Sequence, residues 1–238
     1  MSLVVTVNVR EGLVMAADSR ITLNAQQPQQ GGQQTVHLAV GMSDSNRKLF
    51  VTPNNVGIGT YGQADIQGVP IAGFIDSFIA SLPPNLGPQQ TAQNILAHFH
   101  AMNAALNTCF HVAGYDASTP PSQEVWTVEV QPNRVQKVNQ PNQQGLAFGG
   151  EGDTVARLLQ PVAVAGPNNT WQPLPPVSVP INFFTIQDAI DFGVHLIRTT
   201  IDSIRFQSRP KTVGGPIDVL VIRPGTHEWV SLKKLQMP

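Results

Sequence analysis

The residues with the greatest potential for chemistry are concentrated in short motifs between apolar stretches. The segment Gly12–Thr22 contains Ala-Ala-Asp-Ser-Arg-Ile-Thr, so Asp18 and Arg20 directly follow a short apolar run. Arg47 and Lys48 precede a second apolar run. A carboxylate beside a lysine keeps the ammonium charged and oriented, and such a pair can support a nucleophile.

Glycine-rich turns are the second kind of motif. Gly59–Asp65 reads Gly-Thr-Tyr-Gly-Gln-Ala-Asp, Gly149–Asp153 reads Gly-Gly-Glu-Gly-Asp, and Thr212–Val219 reads Thr-Val-Gly-Gly-Pro-Ile-Asp-Val. None of these turns matches a phosphate-binding loop or a dinucleotide-binding fingerprint. A backbone N–H at such a turn can instead stabilise the oxyanion of a tetrahedral intermediate.

Taken in order, these motifs resemble those of proteasome β-type subunits, including bacterial proteasome-like proteins, within the N-terminal-nucleophile hydrolase superfamily. The segment around Asp18 is the closest match. Counting back from Asp18 without a gap places Ser2 where that family has its nucleophilic threonine. Val112–Asp116 also resembles the family's Gly-Tyr-Asp strand end. Each motif alone is modest, but the ordered set is specific and spans nearly the whole chain.

The resemblance implies a catalytic site made of Ser2, Asp18, Lys48 and Gly62. Once Met1 is removed, Ser2 would attack the substrate and its own α-amino group would act as the base. The ordinary pKa of an α-amino group is about 7.7–8.0, so a useful fraction is neutral near pH 7. Lys48 would stabilise the alkoxide, Asp18 would orient Lys48, and the Gly62 N–H would bind the oxyanion. The implied activity is a threonine- or serine-type peptidase that cleaves peptide or amide bonds without a cofactor or metal.

Three further residues are candidate supports of this site. Arg20 belongs to the same motif as Asp18. Glu151 stands in the glycine turn where the family often has serine, and Asp202 is the nearest candidate for the family's acidic residue after the long helix. A structural role is the alternative for both acidic residues.

The departures from the family leave other functions open. The chain has serine where the family usually has threonine, and a retained Met1 would leave Ser2 without a free amine. The chain would then be a catalytically inactive proteasome-like assembly or binding protein. A third alternative keeps the fold but gives it a small amide substrate. Relatives that degrade proteins enclose their sites in stacked rings, so the resemblance also implies a homo-oligomer, with a ring as one form.

The strands that must position these residues are predicted from hydrophobic alternation. Residues 3–9 and 13–17 predict a β-hairpin that joins Ser2 to Asp18, and residues 48–52 and 56–62 predict a second hairpin around the turn at 53–55. Further strands are expected at 110–115, 124–130, 134–138, 146–149, 217–222 and 228–232. Residues 23–36, rich in Gln and Gly, are predicted to be a loop insertion, and residues 165–181 a Pro/Asn-rich loop.

Four helices are predicted from apolar residues at helical spacing. They are expected at Asp65–Leu82 with Asp65 as N-cap, Thr91–Asn107, Thr154–Gln160 and Thr185–Phe206. Pairs of helices alternate with groups of antiparallel strands. The predicted fold class is therefore α+β, a four-layer αββα sandwich of two antiparallel sheets flanked by helices, in one domain over residues 1–238.

Composition narrows the class of protein further. The net charge of −1 over 238 residues gives no electrostatic case for nucleic acid or for an anionic membrane surface. No stretch is apolar enough to predict a transmembrane helix, and no targeting segment is visible. His98 and His100 are two apart and lack metal-ligand spacing. The single cysteine, Cys109, excludes an internal disulfide and fits a reducing compartment, so a cytoplasmic protein is expected.

Overall fold

The computed structural model describes residues 2–27, 36–141, 143–175 and 178–234. Within these ranges the chain is a mixed α+β fold with four α-helices and several antiparallel sheets. The helices are α1 (Ile71–Ser81), α2 (Pro88–Met102), α3 (Asp153–Leu159) and α4 (Ile186–Arg205). The strands are β1 (Leu3–Val9), β2 (Gly12–Ala17), β3 (Ile21–Gln27), β4 (Val36–Ser43), β5 (Leu49–Val51), β6 (Gly57–Gly62), β7 (Asp65–Ile66), β8 (Val69–Pro70), β9 (Thr108–Tyr115), β10 (Gln123–Glu129), β11 (Arg134–Lys137), β12 (Gly145–Gly150), β13 (Ala163–Ala165), β14 (Trp171–Pro173), β15 (Asp218–Arg223) and β16 (Thr226–Ser231).

Two five-stranded antiparallel sheets carry the site. The first has the strand order β12-β1-β2-β15-β16 and the second has the order β11-β10-β9-β6-β5. Both hairpins predicted around the site are confirmed: β1 pairs with β2 and β5 pairs with β6. The first sheet therefore holds the chain at Ser2 and Asp18, and the second holds it at Lys48 and Gly62.

Three apolar clusters hold these elements together. One lies between α1, α2 and the second sheet, and another lies between α3, α4 and the first sheet. The third joins the two sheets through Val4, Leu13, Met15, Leu49, Ala113, Val125, Leu220 and Ile222. This packing is compatible with a sandwich of sheets and helices.

The two sheets approach closely because β6 carries glycines at the contact. A Cβ at Gly57 would lie 2.5 Å from the sulfur of Met15, and a Cβ at Gly59 would lie 2.7 Å from Val4 Cγ1. Such distances are shorter than packed side chains tolerate, so a larger residue would push the sheets apart. The glycines thereby set the spacing at which Lys48 meets the first sheet.

The long helix begins and ends almost where its sequence predicts. The Thr185 hydroxyl accepts the Asp188 N–H at 3.2 Å, and the Asp188 carboxylate accepts the Thr185 N–H at 2.8 Å. This reciprocal cap fixes the start of α4. The apolar face of α4, including Ala189, Leu196 and Ile197, packs against β1 and β2.

The predicted start of the first helix at Asp65 is wrong. The helix begins at Ile71, after two short strands that form a tight hairpin at residues 65–70. Gln67 and Gly68 have φ values of 53° and 80°, which no right-handed helix contains. Asp65 stabilises this turn by accepting the Gly68 N–H at 3.0 Å and is not a helix cap.

The second helix is also displaced from its predicted range of Thr91–Asn107. It spans Pro88–Met102, because Pro88 suits the first helical position, where an N–H has no partner. Asn103 ends the helix with an extended backbone, at φ −160°. Residues 103–107 are therefore a connection to β9.

The prediction of a loop at residues 23–36 is wrong for residues 23–27 and 36, which lie in strands. Strands β3 and β4 form an antiparallel pair that extends from Ile21 opposite Ser43 to Gln27 opposite Val36. A polar composition indicates that the side chains prefer water. It does not prevent the backbone from pairing with a neighbouring strand. Residues 28–35 of the predicted loop lie outside the described residues. Within the predicted loop at 165–181, Trp171–Pro173 likewise forms a strand, paired with Ala163–Ala165.

None of the helices in the described ranges combines the length and the apolar composition that a membrane crossing requires.

A fully buried histidine lies between the two sheets. His111 of β9 places Nδ1 3.1 Å from the Thr6 hydroxyl of β1. Its Nε2 has no hydrogen-bond partner among the described residues, and its ring meets Tyr61 edge-on at 5.3 Å. Burial lowers the pKa of His111 to about 4, because the charged imidazolium would lose its hydration there.

The pKa of His111 predicts a loss of stability in mild acid. In the unfolded chain the histidine has a pKa of 6.5, so the unfolded state binds the proton first as pH falls from 6.5 to about 4. The stability that His111 contributes above pH 6.5 should therefore decline by about 2 kcal/mol between pH 7.5 and pH 5.

Denaturant unfolding at the two pH values would measure this loss in the wild type, His111→Gln and His195→Gln. Exposed His195 on α4 is the matched control. We expect His111→Gln to lose the acid-dependent component and His195→Gln to keep it. An equal pH dependence in the wild type and His111→Gln would contradict the prediction.

Candidate active site

Asp18 is the centre of the site and lies just beyond the end of β2. It is fully buried, and both of its carboxylate oxygens are used. Oδ1 accepts the Leu3 N–H at 2.9 Å and the Lys48 ammonium at 2.7 Å. Oδ2 accepts the N–H groups of Arg20 at 3.1 Å and Gly214 at 3.0 Å. One carboxylate therefore ties together the start of β1, the lysine before β5 and the segment before β15.

Lys48 is almost completely buried, with 1% of its side chain exposed. It precedes β5, where Leu49 pairs with Gly59, so the next pair along the ladder is Lys48 and Thr60. The Thr60 N–H donates to the Lys48 carbonyl at 2.9 Å. Burial lowers the pKa of Lys48, and the charge of Asp18 opposes that shift. A buried ammonium that has one carboxylate partner in the described part of the chain is poised to interact with developing negative charge.

Ser2 lies immediately before β1 and is 2% exposed. Its carbonyl oxygen accepts the Glu151 N–H at 2.8 Å. Gly150, at φ 96°, faces the same carbonyl, and a Cβ there would overlap the oxygen. The glycine turn at the end of β12 therefore binds the backbone of Ser2, and position 150 has room only for glycine.

Ser2, Lys48 and Gly62 line one small pocket that is too narrow to hold a water molecule. Gly62 ends β6 with φ 94°, and a Cβ there would lie 2.6 Å from the Asn107 carbonyl oxygen. The structure therefore places three of the four predicted catalytic residues around one space, and Asp18 is bonded to the lysine among them. Gly62 precedes the short hairpin at 65–70 and so does not open the helix directly.

A larger cavity lies elsewhere and does not include these residues. It has a volume of about 410 Å³ and is lined by Arg10, Tyr115 and Gln123, together with neighbouring Asn, Gln, Ser and Pro residues. Among the residues that the structure describes, no carboxylate or lysine lines it. It is more spacious but chemically poorer than the pocket at Ser2, so volume is a weak guide to the reactive centre here.

Arg20 supports Asp18 through its backbone and a neighbouring segment through its side chain. Its guanidinium binds Asp44 in a bidentate pair, with nitrogen–oxygen distances of 2.6 and 2.7 Å. The hydrogen bonds from Arg20 hold the pKa of Asp44 below its usual value. A Cβ at Gly214 would overlap this guanidinium. Arg20 therefore packs across the segment whose N–H binds Asp18.

Glu151 and Asp202 occupy different environments. Glu151 is buried and binds Arg209 Nη1 at 2.7 Å and the Thr212 hydroxyl at 3.1 Å. Glu151 thus connects the glycine turn that binds Ser2 with the segment that follows α4. Asp202 lies on the exposed side of α4 and does not line the pocket of Ser2.

Sequence reasoning missed several residues around the pocket. Thr60 and Asn46 line it, and Arg209 and Thr212 donate hydrogen bonds to the Glu151 carboxylate. A signal for Thr60 was available, since a hairpin centred on residue 54 pairs position 60 with position 48. No local signal identifies Arg209 or Thr212, because their contact with Glu151 crosses about sixty residues of chain.

The arrangement suits acyl transfer better than metal chemistry. Within the ranges that the structure covers, no group of three or more His, Cys, Asp or Glu side chains is placed to hold a metal ion. The elements of acyl transfer are a hydroxyl, a buried lysine–aspartate pair and a backbone N–H at a glycine turn. Ser2, Lys48 and Gly62, which supply one of each, line the same pocket, and Asp18 binds the lysine from outside it.

Comparison with known proteins places the fold. No protein-family model matches the sequence, and no curated protein matches it significantly. A solved structure of an Anbu (Gly-1) mutant from Hyphomicrobium sp. strain MC1 is similar with a TM-score of 0.61 and 14% sequence identity, covering 97% of this chain and 87% of that one. At this identity the likeness concerns the fold alone, and the chain shares the overall fold of Anbu.

Proposed function

We propose that this chain is an N-terminal-nucleophile hydrolase of peptide or amide bonds, with the four-layer αββα arrangement typical of that superfamily. Its fold likeness to Anbu, a proteasome-like protein, and the ordered sequence motifs support a proteasome-related function. The observation that carries the proposal is the shared pocket of Ser2, Lys48 and Gly62, with Lys48 bound to fully buried Asp18.

The proposed reaction begins at the Ser2 hydroxyl. After Met1 is removed, the neutral α-amino group of Ser2 takes the hydroxyl proton, directly or through a water, as Oγ bonds to the substrate carbonyl carbon. The carbonyl π electrons move to the oxygen, which the Gly62 N–H stabilises. Loss of one such donor typically costs about 2.7–4 kcal/mol of barrier.

The tetrahedral intermediate then collapses. The carbon–nitrogen bond breaks, the amine leaves with the proton held by the α-amino group, and an ester remains on Ser2 Oγ. Water hydrolyses that ester with the α-amino group acting again as base, which restores the hydroxyl. Lys48 stabilises the negative charge that develops near Oγ, and Asp18 fixes the position of its ammonium.

Intact mass and covalent labelling together test the proposal. We expect the purified protein to lack the mass of one methionine and to react once with an electrophilic probe for N-terminal nucleophiles, at Ser2 by peptide mapping. A chain whose N-terminus is extended by a fused tag is the matched control. It keeps the Ser2 hydroxyl but lacks its free amine, so we expect no labelling. Retained Met1 with no label at Ser2 would refute the activity and favour a non-catalytic assembly or binding protein.

Homo-oligomerisation and a cytoplasmic location belong to the same proposal. Cys109 is a free cysteine, which fits a reducing compartment. Sedimentation would distinguish a closed ring, which suits protein substrates, from a monomer or dimer, which favours a small amide substrate.

A further inference from the structure

A second buried ion pair lies at the same end of the two sheets as Asp18 and Lys48. Asp218 is the first residue of β15 and is 1% exposed, and the side chain of Lys233, its partner, is 9% exposed. Lys233 donates twice to this carboxylate: its backbone N–H bonds Oδ1 at 2.8 Å, and its ammonium bonds Oδ2. Lysine and aspartate are rarely buried so deeply unless they are paired.

The strand register places Asp218 next to the first pair. Asp218 lies opposite Ala17 in the β15–β2 ladder, and Asp18 is the residue that follows Ala17. Leu220, two positions further along β15, packs in the cluster between the two sheets. Because residues two apart in a strand share one face, Asp218 also faces the second sheet, whose strand β5 lies against β15. Lys48 immediately precedes that strand.

Hydrogen bonds give the segment after β16 a fixed position. Ser231, the last residue of β16, donates its hydroxyl to the Ile217 carbonyl at 2.9 Å, so the segment turns back across the start of β15. Lys233 then binds Asp218 through both its backbone and its side chain. These anchors hold the Lys233 ammonium at Asp218, on the face of β15 that looks toward β5.

The charges around Lys48 come from several elements. In the described part of the chain they are Asp18 after β2, Asp44 after β4 and Lys233 after β16, and the α-amino group of Ser2 before β1 joins them once Met1 is removed. Burial has the largest effect on the pKa of Lys48 and lowers it. Asp18 raises the pKa, the positive charge of Lys233 lowers it again, and Asp44 raises it.

We propose that Lys233 is a positioning residue of the candidate active site: anchored on Asp218, its ammonium makes Lys48 hold its own proton less tightly. The inference rests on the proposed function, in which protonated Lys48 stabilises the negative charge that develops near Ser2 Oγ. An ammonium that binds its proton less tightly is a stronger hydrogen-bond donor to that charge. Asp18 keeps Lys48 charged, and Lys233 limits how far.

The pH profile of hydrolysis tests this role. The substrate is the preferred fluorogenic amide, the one that the wild type cleaves fastest in a panel of peptide amides. Its kcat/KM should rise with pH as the α-amino group of Ser2 becomes neutral and fall at alkaline pH as Lys48 loses its proton. Lys233→Met removes a positive charge near Lys48, so we expect the alkaline limb to move up by about one pH unit.

Two further variants show whether charge is the cause. Lys234→Met removes the charge of the next residue, which is exposed and therefore screened by solvent, so we expect the alkaline limb to stay in place. Lys233→Arg keeps a positive charge and should keep the limb of the wild type. A purely structural pair would instead lower the rate at every pH and leave the limb where it is.

A double variant covers the structural cost of removing Lys233. Lys233→Met leaves the buried Asp218 carboxylate without its counter-charge, whereas Lys233→Met combined with Asp218→Asn removes both charges and costs less stability. The double variant still lacks the Lys233 ammonium, so its alkaline limb should also move up, by a smaller amount. An unmoved or lowered limb in either variant, if it folds, would overturn the inference.

Direct titration of Lys48 separates this inference from the function on which it rests. The chain has five lysines, so carbon-13 labelling of the lysine ε carbons gives few NMR signals, and Lys48→Met identifies the one to follow. We expect its titration midpoint to rise by about one pH unit in Lys233→Met and to stay unchanged in Lys234→Met. If the midpoint rises but no amide is cleaved and Ser2 is not labelled, the proposed function fails and the effect of Lys233 on Lys48 stands. If amides are cleaved but the midpoint does not move, only this inference fails.

Discussion

Replacing Ser2 with alanine is expected to lower kcat/KM for an amide substrate by about 10⁴- to 10⁶-fold, as loss of the nucleophile does in other covalent hydrolases. The variant keeps the α-amino group, the buried Lys48–Asp18 pair and the oxyanion donor. It lacks only the oxygen that forms the bond to the substrate. The measurement is hydrolysis of the preferred fluorogenic amide under single-turnover and steady-state conditions.

Two further variants make the result specific. Ser77→Ala removes an exposed serine hydroxyl on α1 that donates to the Gly73 carbonyl, and we expect it to keep wild-type activity. Ser2→Thr keeps a hydroxyl at the same atom of the chain and should retain activity within about 10-fold, since both hydroxyls act with the α-amine. If Ser2→Ala retained the wild-type rate while folding normally, the reacting group would have to be another residue.

The part of the site that lies on β-hairpins was predicted best from the sequence. The hairpin that joins Ser2 to Asp18 has a two-residue turn and a strict register, so the separation of the two residues follows from their numbers. The same reasoning applies to Lys48 and Gly62 in the β5–β6 hairpin. Alternating apolar residues and one short turn are enough to fix such geometry.

Local backbone exceptions were harder to predict. The apolar residues from Ile66 onward have helical spacing, yet Gln67 adopts a left-handed conformation that interrupts the pattern. Such a conformation is uncommon for residues other than glycine, and nothing in the side chain of Gln67 predicts it. Similarly, the segment at 23–27 forms a strand because β4 supplies its backbone partners. The composition of the segment does not predict that pairing.

Contacts between residues far apart in the chain were the hardest part of the site to predict from the sequence. Asp18 binds the N–H of Gly214 from the far end of the chain, and Glu151 is held by Arg209 and Thr212. These contacts depend on how the first sheet places β12 and β15 on either side of the β1–β2 hairpin. Without that strand order, the motifs can be aligned in sequence but their mutual contacts cannot be assigned.

Replacing Asp18 with asparagine is expected to lower stability by about 3–5 kcal/mol and to remove most of the activity, because it leaves a buried lysine without its counter-charge. The two Asp18 oxygens accept from Leu3 and Lys48 on one side and from Arg20 and Gly214 on the other. Asparagine offers one oxygen, and its amide N–H groups would face donors on the other side. Denaturant unfolding measures the stability. Asp191→Asn on the exposed face of α4 is the matched control and should change neither quantity.

A double-mutant cycle separates the structural cost from the chemical role. Lys48→Met should be less destabilising than Asp18→Asn, because Asp18 would still accept three backbone N–H groups. Asp18→Asn combined with Lys48→Met removes both charges, so the double variant should regain part of the stability lost in Asp18→Asn, since replacing both members of a buried pair costs less than orphaning one. Hydrolysis should not recover with it, because no ammonium remains beside Ser2. Recovery of both stability and hydrolysis in the double variant would show that the pair is structural alone, whereas recovery of stability without hydrolysis assigns the charged pair to the reaction.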